Sequence, residues 1–185
     1  QKDEANFFYY VGQIYFNEQE YDKSFEFMRK ASSLDLEKNK ELRSLFVAMM
    51  SAYQIQDDDS CQSLATQILK VNNSQNSSQF PFVLYLRALS LHRTGQSNQA
   101  LKDLDRVLIK YPNFEKLEEV VFMKAEILHQ TQQWQKSRDA FFFYISEYFQ
   151  GSYYSSAYRY FLDSSLSSLE REKQTKIERK REINN

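Results

Sequence analysis

The sequence is poor in the residues that interrupt helices. Its 185 residues include only 3 Gly and 2 Pro. A β-sandwich or barrel joins many short strands through turns in which Gly and Pro are enriched, so this composition disfavours both architectures. With 42% apolar and 26% charged residues, the chain can still bury a core, and we predict the all-α class.

An excess of charge of one sign is also lacking. The chain carries 24 Lys and Arg against 25 Asp and Glu, which gives a net charge of −1. Binding to nucleic acid draws much of its affinity from cations that neutralise phosphates. Because no basic excess exists, we expect no nucleic-acid partner.

Cysteine and long apolar runs are scarce as well. Cys61 is the only cysteine, so no disulfide can form within the chain. No run reaches 18 apolar residues, and we therefore predict no transmembrane segment. The sequence starts at Gln1 without an initiator Met or a signal peptide, and we expect that processing or trimming has removed any export signal or lipid-anchored cysteine upstream of Gln1.

The sequence contains an internal repeat. The stretch LHRTGQSNQALKDLDRVLIKYPN, residues 91–113, aligns with LHQTQQWQKSRDAFFFYISEYFQ, residues 128–150, at an offset of 37. Each stretch reads as a helix end, a turn and a second helix. A fixed offset of this size indicates a repeat architecture.

Extending the offset backwards gives four copies with two recurrent positions that hold small residues in all cases but one, Met49. Two helices joined by a short turn approach closely only where side chains are small, so these positions predict helix crossings. The first helices carry Gly12, Met49, Ala88 and Ala125, and the second helices carry Ser24, Cys61, Ala100 and Ser137. A positive φ is expected at Gly95, in the turn of the third copy.

The recurrent aromatic, aliphatic, glycine and alanine positions resemble the signature of tetratricopeptide repeats. In the first copy the match is carried by Phe8, Val11, Gly12, Tyr15, Tyr21 and Ala31. In the third copy it is carried by Leu84, Ala88, Leu91, Ala100, Leu104, Val107 and Pro112. The resemblance implies a right-handed α-solenoid of about four helical hairpins in residues 1–150, at about 5–37, 42–74, 81–114 and 118–150. A polar linker is expected at residues 72–79.

Residues 151–185 are predicted to form a C-terminal capping helix and a charged tail. Leu162, Leu166 and Leu169 fall at helical spacing, and mixed charges follow from Glu170 to Glu182. A polar outer face is what ends a stack of repeats. A coiled-coil arm is the alternative interpretation of this segment.

No set of catalytic or metal-binding residues emerges from the sequence, and we predict a non-enzymatic protein without cofactor or metal. Cys61 occupies a helix-crossing position and is expected to be a buried, inert thiol. The triplet Asp57-Asp58-Asp59 lacks the spacing of a calcium loop, and helix capping by Asp59 or Ser60 is expected instead. His92 and His129 recur at one repeat position, but two ligands do not make a structural metal site, so a polar surface role is expected.

Aromatic residues recur on the first helices, at positions that face the binding groove in the repeats that the sequence resembles. The resemblance thus implies a partner-binding surface for a peptide or helix of a protein partner, because rings bury large areas on binding. The alternative left open is that these rings pack between neighbouring first helices as core. The fifth position holds Tyr9, Phe46, Tyr85 and Phe122, the twelfth holds Phe16, Tyr53, His92 and His129, and the ninth contributes Leu89 among Gln13, Met50 and Glu126.

The third and fourth copies are similar to the repeats of bacterial envelope proteins, namely outer-membrane assembly lipoproteins and Tol-Pal coordination proteins. The hallmark is an aromatic-rich second helix followed by Tyr-Pro and a short polar stretch. Tyr111-Pro112-Asn113 matches this junction, whereas Tyr148-Phe149-Gln150 lacks the proline. The resemblance implies a periplasmic, lipid-anchored, protein-binding role in envelope assembly or maintenance. A cytoplasmic adaptor and the repeat domain of a larger enzyme are the alternatives.

Overall fold

Every regular element that the structure describes is an α-helix, so the all-α prediction is confirmed. The computed structural model describes residues 2–70 and 79–183, and it contains no strand within those ranges. The expected linker at residues 72–79 therefore lies outside the described residues, except for Gln79. The helices are α1 (Lys2–Asn17), α2 (Tyr21–Ser32), α3 (Lys38–Gln54), α4 (Asp58–Lys70), α5 (Phe80–Arg93), α6 (Ser97–Lys110), α7 (Leu117–Gln130), α8 (Trp134–Glu147) and α9 (Tyr154–Ile183).

The chain forms two compact units, Gln1–Arg106 and Val107–Asn185. In the first unit, each of the helices α1 to α4 packs against the next helix in the chain. The first helices of the hairpins also touch, α1 with α3 and α3 with α5. In the second unit, α8 packs against both α7 and α9, and α7 touches α9.

The turns of the four hairpins share one backbone conformation. Gln19, Gln56, Gly95 and Gln132 occupy the same repeat position, and their φ angles are 62°, 60°, 79° and 57°. In each turn the N–H of this residue donates to the carbonyl three residues earlier, as from Gln56 to Tyr53 at 3.2 Å. The positive φ expected at Gly95 is confirmed. The other three copies hold the same conformation with a residue that has a Cβ, which costs conformational energy.

The helix crossings predicted from small residues are confirmed. Ser24, Cys61, Ala100 and Ser137 are fully buried on the second helices. Ser24 Oγ donates to the Gly12 carbonyl at 3.0 Å, and Ser137 Oγ donates to the Ala125 carbonyl at 3.4 Å. A Cβ added to Gly12 would lie 2.9 Å from Met28 Cγ. A larger residue at Gly12 would therefore push the two helices apart or force Met28 to move.

Helix α9 packs on α8 in the same register as α3 packs on α2. The hydroxyls of Ser24 and Ser51 lie 3.1 Å apart, and those of Ser137 and Ser164 lie 2.9 Å apart. The helix predicted after residue 151 therefore occupies the place of the first helix of another hairpin. Its role as a cap stays a prediction.

The exposed surface of α9 changes character along its length. The second half, residues 170–181, is exposed throughout and rich in charge. The first half instead exposes large apolar side chains, with Leu162 at 46% and Leu166 at 63%. The polar outer face expected of the capping helix is therefore confined to its second half.

The strained turn leads to a prediction for Gln56→Gly. Glycine adopts a positive φ without the steric cost of a Cβ, so this change should raise the free energy of unfolding by about 1 kcal/mol. The matched control is Gln67→Gly on the exposed face of α4, where glycine should lower it by about 1 kcal/mol. Urea denaturation followed by circular dichroism measures both changes. A loss of stability in Gln56→Gly equal to that of the control would contradict the turn geometry.

Candidate protein-binding site

The structure distributes the predicted surface residues between the two units and encloses several of them. At the fifth repeat position Tyr9, Tyr85 and Phe122 are buried, with 5%, 7% and 9% of their surface exposed, while Phe46 is half-buried. The remaining predicted residues, Phe16, Tyr53, Leu89, His92 and His129, are half-buried. Binding by this surface stays a prediction, and only some of its members remain open to a partner.

Phe122 packs as a core residue of the second unit. Its ring stacks on Tyr153 with centroids 4.5 Å apart, and it meets Tyr144 and Phe141 edge-on at 5.6 and 5.9 Å. These neighbours belong to a buried cluster that includes Val121, Ala125 and Ala157. Tyr153, the residue just before α9, thus lies over the position that the sequence assigned to the partner.

The two histidines are not exposed polar residues. His129 Nε2 lies 2.6 Å from Asp163 Oδ2 of α9, and its ring contacts Trp134 and Tyr160. Only 15% of the His129 side chain is exposed. His92 Nδ1 lies 3.1 Å from Ser97 Oγ, where α6 begins. Both side chains are half-buried and contact polar groups of neighbouring segments, and a polar surface role for them stays a prediction.

No metal centre appears in the part of the chain that the structure describes. Within residues 2–70 and 79–183, no group of three or more His, Cys, Asp or Glu side chains could hold an ion. The acidic triplet caps a helix, but through a different residue from the one expected. Asp57 Oδ1 accepts the Ser60 N–H at 3.1 Å, so Asp57 rather than Asp59 or Ser60 caps α4.

A pocket of about 300 Å³ opens between α1 and α3 in the first unit. Two of the predicted surface residues, Phe16 and Phe46, form its walls together with Val47 and Met50. Gln13, which also lines the pocket, donates from Nε2 to the Tyr9 hydroxyl at 2.9 Å. The remaining lining residues are Asn17, Arg43 and Gln79.

Arg43 is the charged residue of this pocket, and sequence reasoning missed it. It lies one helical turn before Phe46, is exposed, and makes no hydrogen bond or ion pair among the described residues. Helical spacing from Phe46 could have pointed to it. The pocket therefore combines an apolar wall with one cation and several amides at its rim, which suits a peptide side chain and its backbone.

The junction after the fourth copy lacks the proline and is stabilised instead by hydrogen bonds to Glu118. Glu118 Oε1 accepts hydrogen bonds from the Tyr144 hydroxyl at 2.6 Å and from the Ser152 N–H at 2.7 Å. Burial and the Glu118 carboxylate raise the pKa of Tyr144 well above its usual value. A Cβ on Gly151 would lie 2.7 Å from the Tyr144 hydroxyl, so glycine is needed there. No sequence pattern pointed to this network, because its members lie up to 34 residues apart.

None of the helices within residues 2–70 and 79–183 combines the length and the hydropathy that a bilayer crossing requires. The third copy matches the tetratricopeptide repeat family over residues 82–113. No curated protein matches the sequence.

Two solved structures share the fold over nearly the whole chain. One contains the nearly identical TPR-like repeats assigned to a kinesin light chain of Podosopora anserina, with a TM-score of 0.68 and 12% identity over 97% of this chain and 94% of that one. The other is a variant of those same repeats that differs by one substitution, with a TM-score of 0.69 and 11% identity over 99% and 96%. The fold is TPR-like. At this identity the likeness extends to the fold alone, and the helical hairpins predicted from the sequence are confirmed.

The buried position of Phe122 predicts a large loss of stability on truncation. Phe122→Ala should lower the free energy of unfolding by about 3–5 kcal/mol, because it removes a ring that three aromatic neighbours contact. The control Phe143→Ala truncates a ring of α8 that is 51% exposed, and it should cost less than about 1 kcal/mol. Thermal and chemical denaturation measure both. Equal stability of the two variants would show that Phe122 is not a core residue.

Cys61 should be unreactive in the folded protein. It is fully buried, and burial together with nearby Asp58 raises the pKa of its thiol to about 12. Because the thiolate is the reactive form, Ellman's reagent at pH 8 should label Cys61 only after unfolding in guanidinium. Ser63→Cys, at an exposed position of α4, should add one thiol that reacts at once. Rapid labelling of the native parent protein would contradict the burial of Cys61.

Proposed function

We propose that this protein is a non-enzymatic interaction module that binds a peptide or helix of a protein partner in the pocket between α1 and α3. The observation that carries the proposal is the apolar wall of Phe16, Phe46 and Met50 beside the unpaired Arg43. TPR-like repeats generally act as protein–protein interaction scaffolds, and the matching repeat and the shared fold support this general role.

The size of the pocket favours a peptide side chain as its occupant. A volume of about 300 Å³ lies at the lower end for small-molecule sites and is small for a cofactor. Apolar anchors that enter a pocket with a polar rim are typical of peptide recognition. An apolar or aromatic residue of the partner would occupy the pocket, with a carboxylate of the same peptide near Arg43.

Catalysis has no support among the described residues. The most nucleophilic side-chain type present, the Cys61 thiol, is buried with a pKa of about 12. His129 contacts the carboxylate of Asp163, and His92 contacts the hydroxyl of Ser97, the residue at which α6 begins. These contacts favour structural roles for both side chains.

The cellular setting is part of the proposal. We place the protein in a bacterial cell envelope, periplasmic and lipid-anchored, on the resemblance of the Tyr111-Pro112-Asn113 junction. A signal peptide and a lipid-attachment cysteine in the full-length gene would support this setting. A gene that encodes neither would favour the cytoplasmic adaptor, and one that encodes a catalytic domain would favour the repeat domain of an enzyme.

Peptide selection tests the pocket directly. Twelve-residue peptides selected from a random phage library on the parent protein should bind Met50→Glu about tenfold or more weakly, because the carboxylate places a charge in the apolar wall beside Arg43. The control is Ile109→Glu in α6, at a residue 79% exposed. Fluorescence polarisation measures the affinities, and thermal melting checks that both variants fold. Selected peptides that bind Met50→Glu as tightly as Ile109→Glu would remove the pocket from the proposal.

A further inference from the structure

The second unit contains a larger cleft that none of the predicted surface residues lines. It has a volume of about 800 Å³ and lies between the turn that leads into α8 and the second half of α9. The walls come from two segments only. They comprise Thr131, Gln132, Gln133, Trp134, Gln135 and Lys136 on one side, and Ser168, Arg171, Glu172, Thr175, Lys176 and Arg179 on the other.

The charge of this cleft is strongly positive, although the chain as a whole is nearly neutral. The cleft is lined by four cations and one carboxylate. The cations are Lys136, Arg171, Lys176 and Arg179, and the carboxylate is that of Glu172. That carboxylate accepts a hydrogen bond from Gln135 at 3.2 Å. Among the described residues, the three α9 cations make neither an ion pair nor a hydrogen bond. Cations gathered in a cleft without anionic partners attract an anionic ligand.

A buried hydroxyl without a partner lies in the wall of the same cleft. Ser168 is 3% exposed, and its Oγ makes no hydrogen bond in the part of the chain that the structure describes. Its neighbours on α9 are satisfied, since Ser164 Oγ pairs with Ser137 Oγ and Ser165 Oγ donates to the Phe161 carbonyl. Leaving a buried hydroxyl unpaired costs free energy, which a ligand that accepts its hydrogen bond would recover.

The start of α8 adds backbone donors to this wall. Helix α8 begins at Trp134, and Gln133 before it makes no side-chain cap hydrogen bond. The first N–H groups of the helix therefore have no side-chain partner there, and the helix dipole favours negative charge at this end. Cations, an unpaired hydroxyl and a helix start thus meet in one cleft.

We propose that this cleft binds an acidic peptide segment of a protein partner. The site lies outside the α1/α3 pocket and would be held mainly by charge rather than by an apolar anchor, so the inference goes beyond the function proposed above. Carboxylates would pair with the α9 cations, and Trp134 would contact the apolar part of the peptide. The glutamine amides beside Trp134 can donate to and accept from a peptide backbone.

A peptide fits this site better than a membrane surface or nucleic acid does. A bilayer is broad, and it would meet the neighbouring carboxylates Glu170 and Glu178 of the same exposed helix segment as well as the cleft. A polynucleotide requires cations along an extended track, which a chain of net charge −1 does not supply. One extended peptide can instead lie between the two walls.

Fluorescence of Trp134 reports directly on this site, because Trp134 is the only tryptophan of the chain. An acetylated octapeptide of alternating Asp and Glu should change the emission of the full chain saturably at low salt. Lys176→Glu/Arg179→Glu should weaken its binding about tenfold or more, since both cations line the cleft. The matched control Lys173→Glu/Lys180→Glu reverses two charges of α9 outside the cleft, and it should change the affinity by less than about threefold.

Three further variants complete the test. Ser168→Ala should weaken binding of the octapeptide about threefold while the protein melts no lower than the parent, because an unpaired hydroxyl is removed. Arg171→Gln should weaken binding even if the double reversal perturbs folding. Met50→Glu should leave octapeptide binding unchanged, which separates a failure of this site from a failure of the α1/α3 pocket.

Several outcomes would overturn the proposal. These are no saturable change in emission, equal binding of the neutral Asn and Gln octapeptide, or equal weakening by the control reversal at positions 173 and 180. Tighter binding of inorganic phosphate, of vesicles containing phosphatidylserine, or of a single-stranded oligonucleotide than of the octapeptide would replace the acidic peptide with that ligand. Binding of the octapeptide alone, lost with the cleft cations, supports the proposal.

Discussion

The close crossing of the two helices within each hairpin is the constraint on which the rest of the structure depends. In the first hairpin the crossing is set by Gly12 and Ser24. The Ser24 hydroxyl donates a 3.0 Å hydrogen bond to the Gly12 carbonyl. The hydroxyl is buried and therefore needs a partner, and it also reaches Ser51 of the next first helix at 3.1 Å. One small side chain thus fixes the hairpin and places its neighbour, which brings α1 and α3 side by side and forms the pocket between them.

The same repeated packing explains which apolar residues stay exposed. Phe7, Tyr10 and Ile14 of α1 are 59%, 52% and 55% exposed. The corresponding residues of α3, Ser44, Val47 and Ser51, are buried, because a preceding second helix covers them. Tyr158 and Leu162 of α9 are likewise exposed where the equivalent Val121 and Ala125 of α7 are buried against α8. The end helices therefore carry faces that interior copies bury, which is the expected property of a repeat fold.

Sequence periodicity was sufficient to predict the helices, the crossings and the turn at Gly95, because each depends on neighbours within one copy or on a fixed offset. It was insufficient for the contacts between copies. The Glu118 to Ser152 hydrogen bond and the cleft around Trp134 join the fourth copy to the segment after it, at separations that the repeat does not constrain. The positive φ at Gln19, Gln56 and Gln132 was missed for a different reason, since glutamine carries no preference for that conformation.

The aromatic residues at the fifth repeat position show most clearly what periodicity does not predict, namely whether a ring is buried or lines a pocket. In three copies, the ring at the fifth position lies near the start of the first helix of the next hairpin. The residues at that helix start differ between copies. At Tyr9 it is Lys40, whose ammonium lies 5.9 Å from the ring centre. At Phe122 it is Tyr153, which stacks at 4.5 Å and completes a core. At Phe46 the neighbours are Gln79, which lines the α1/α3 pocket with it, and Phe82 of α5, whose ring centre lies 6.1 Å away. The surroundings of one aromatic position thus depend on residues of the next copy, which follow it by 31 positions at Tyr9 and Phe122 and by 33 and 36 positions at Phe46.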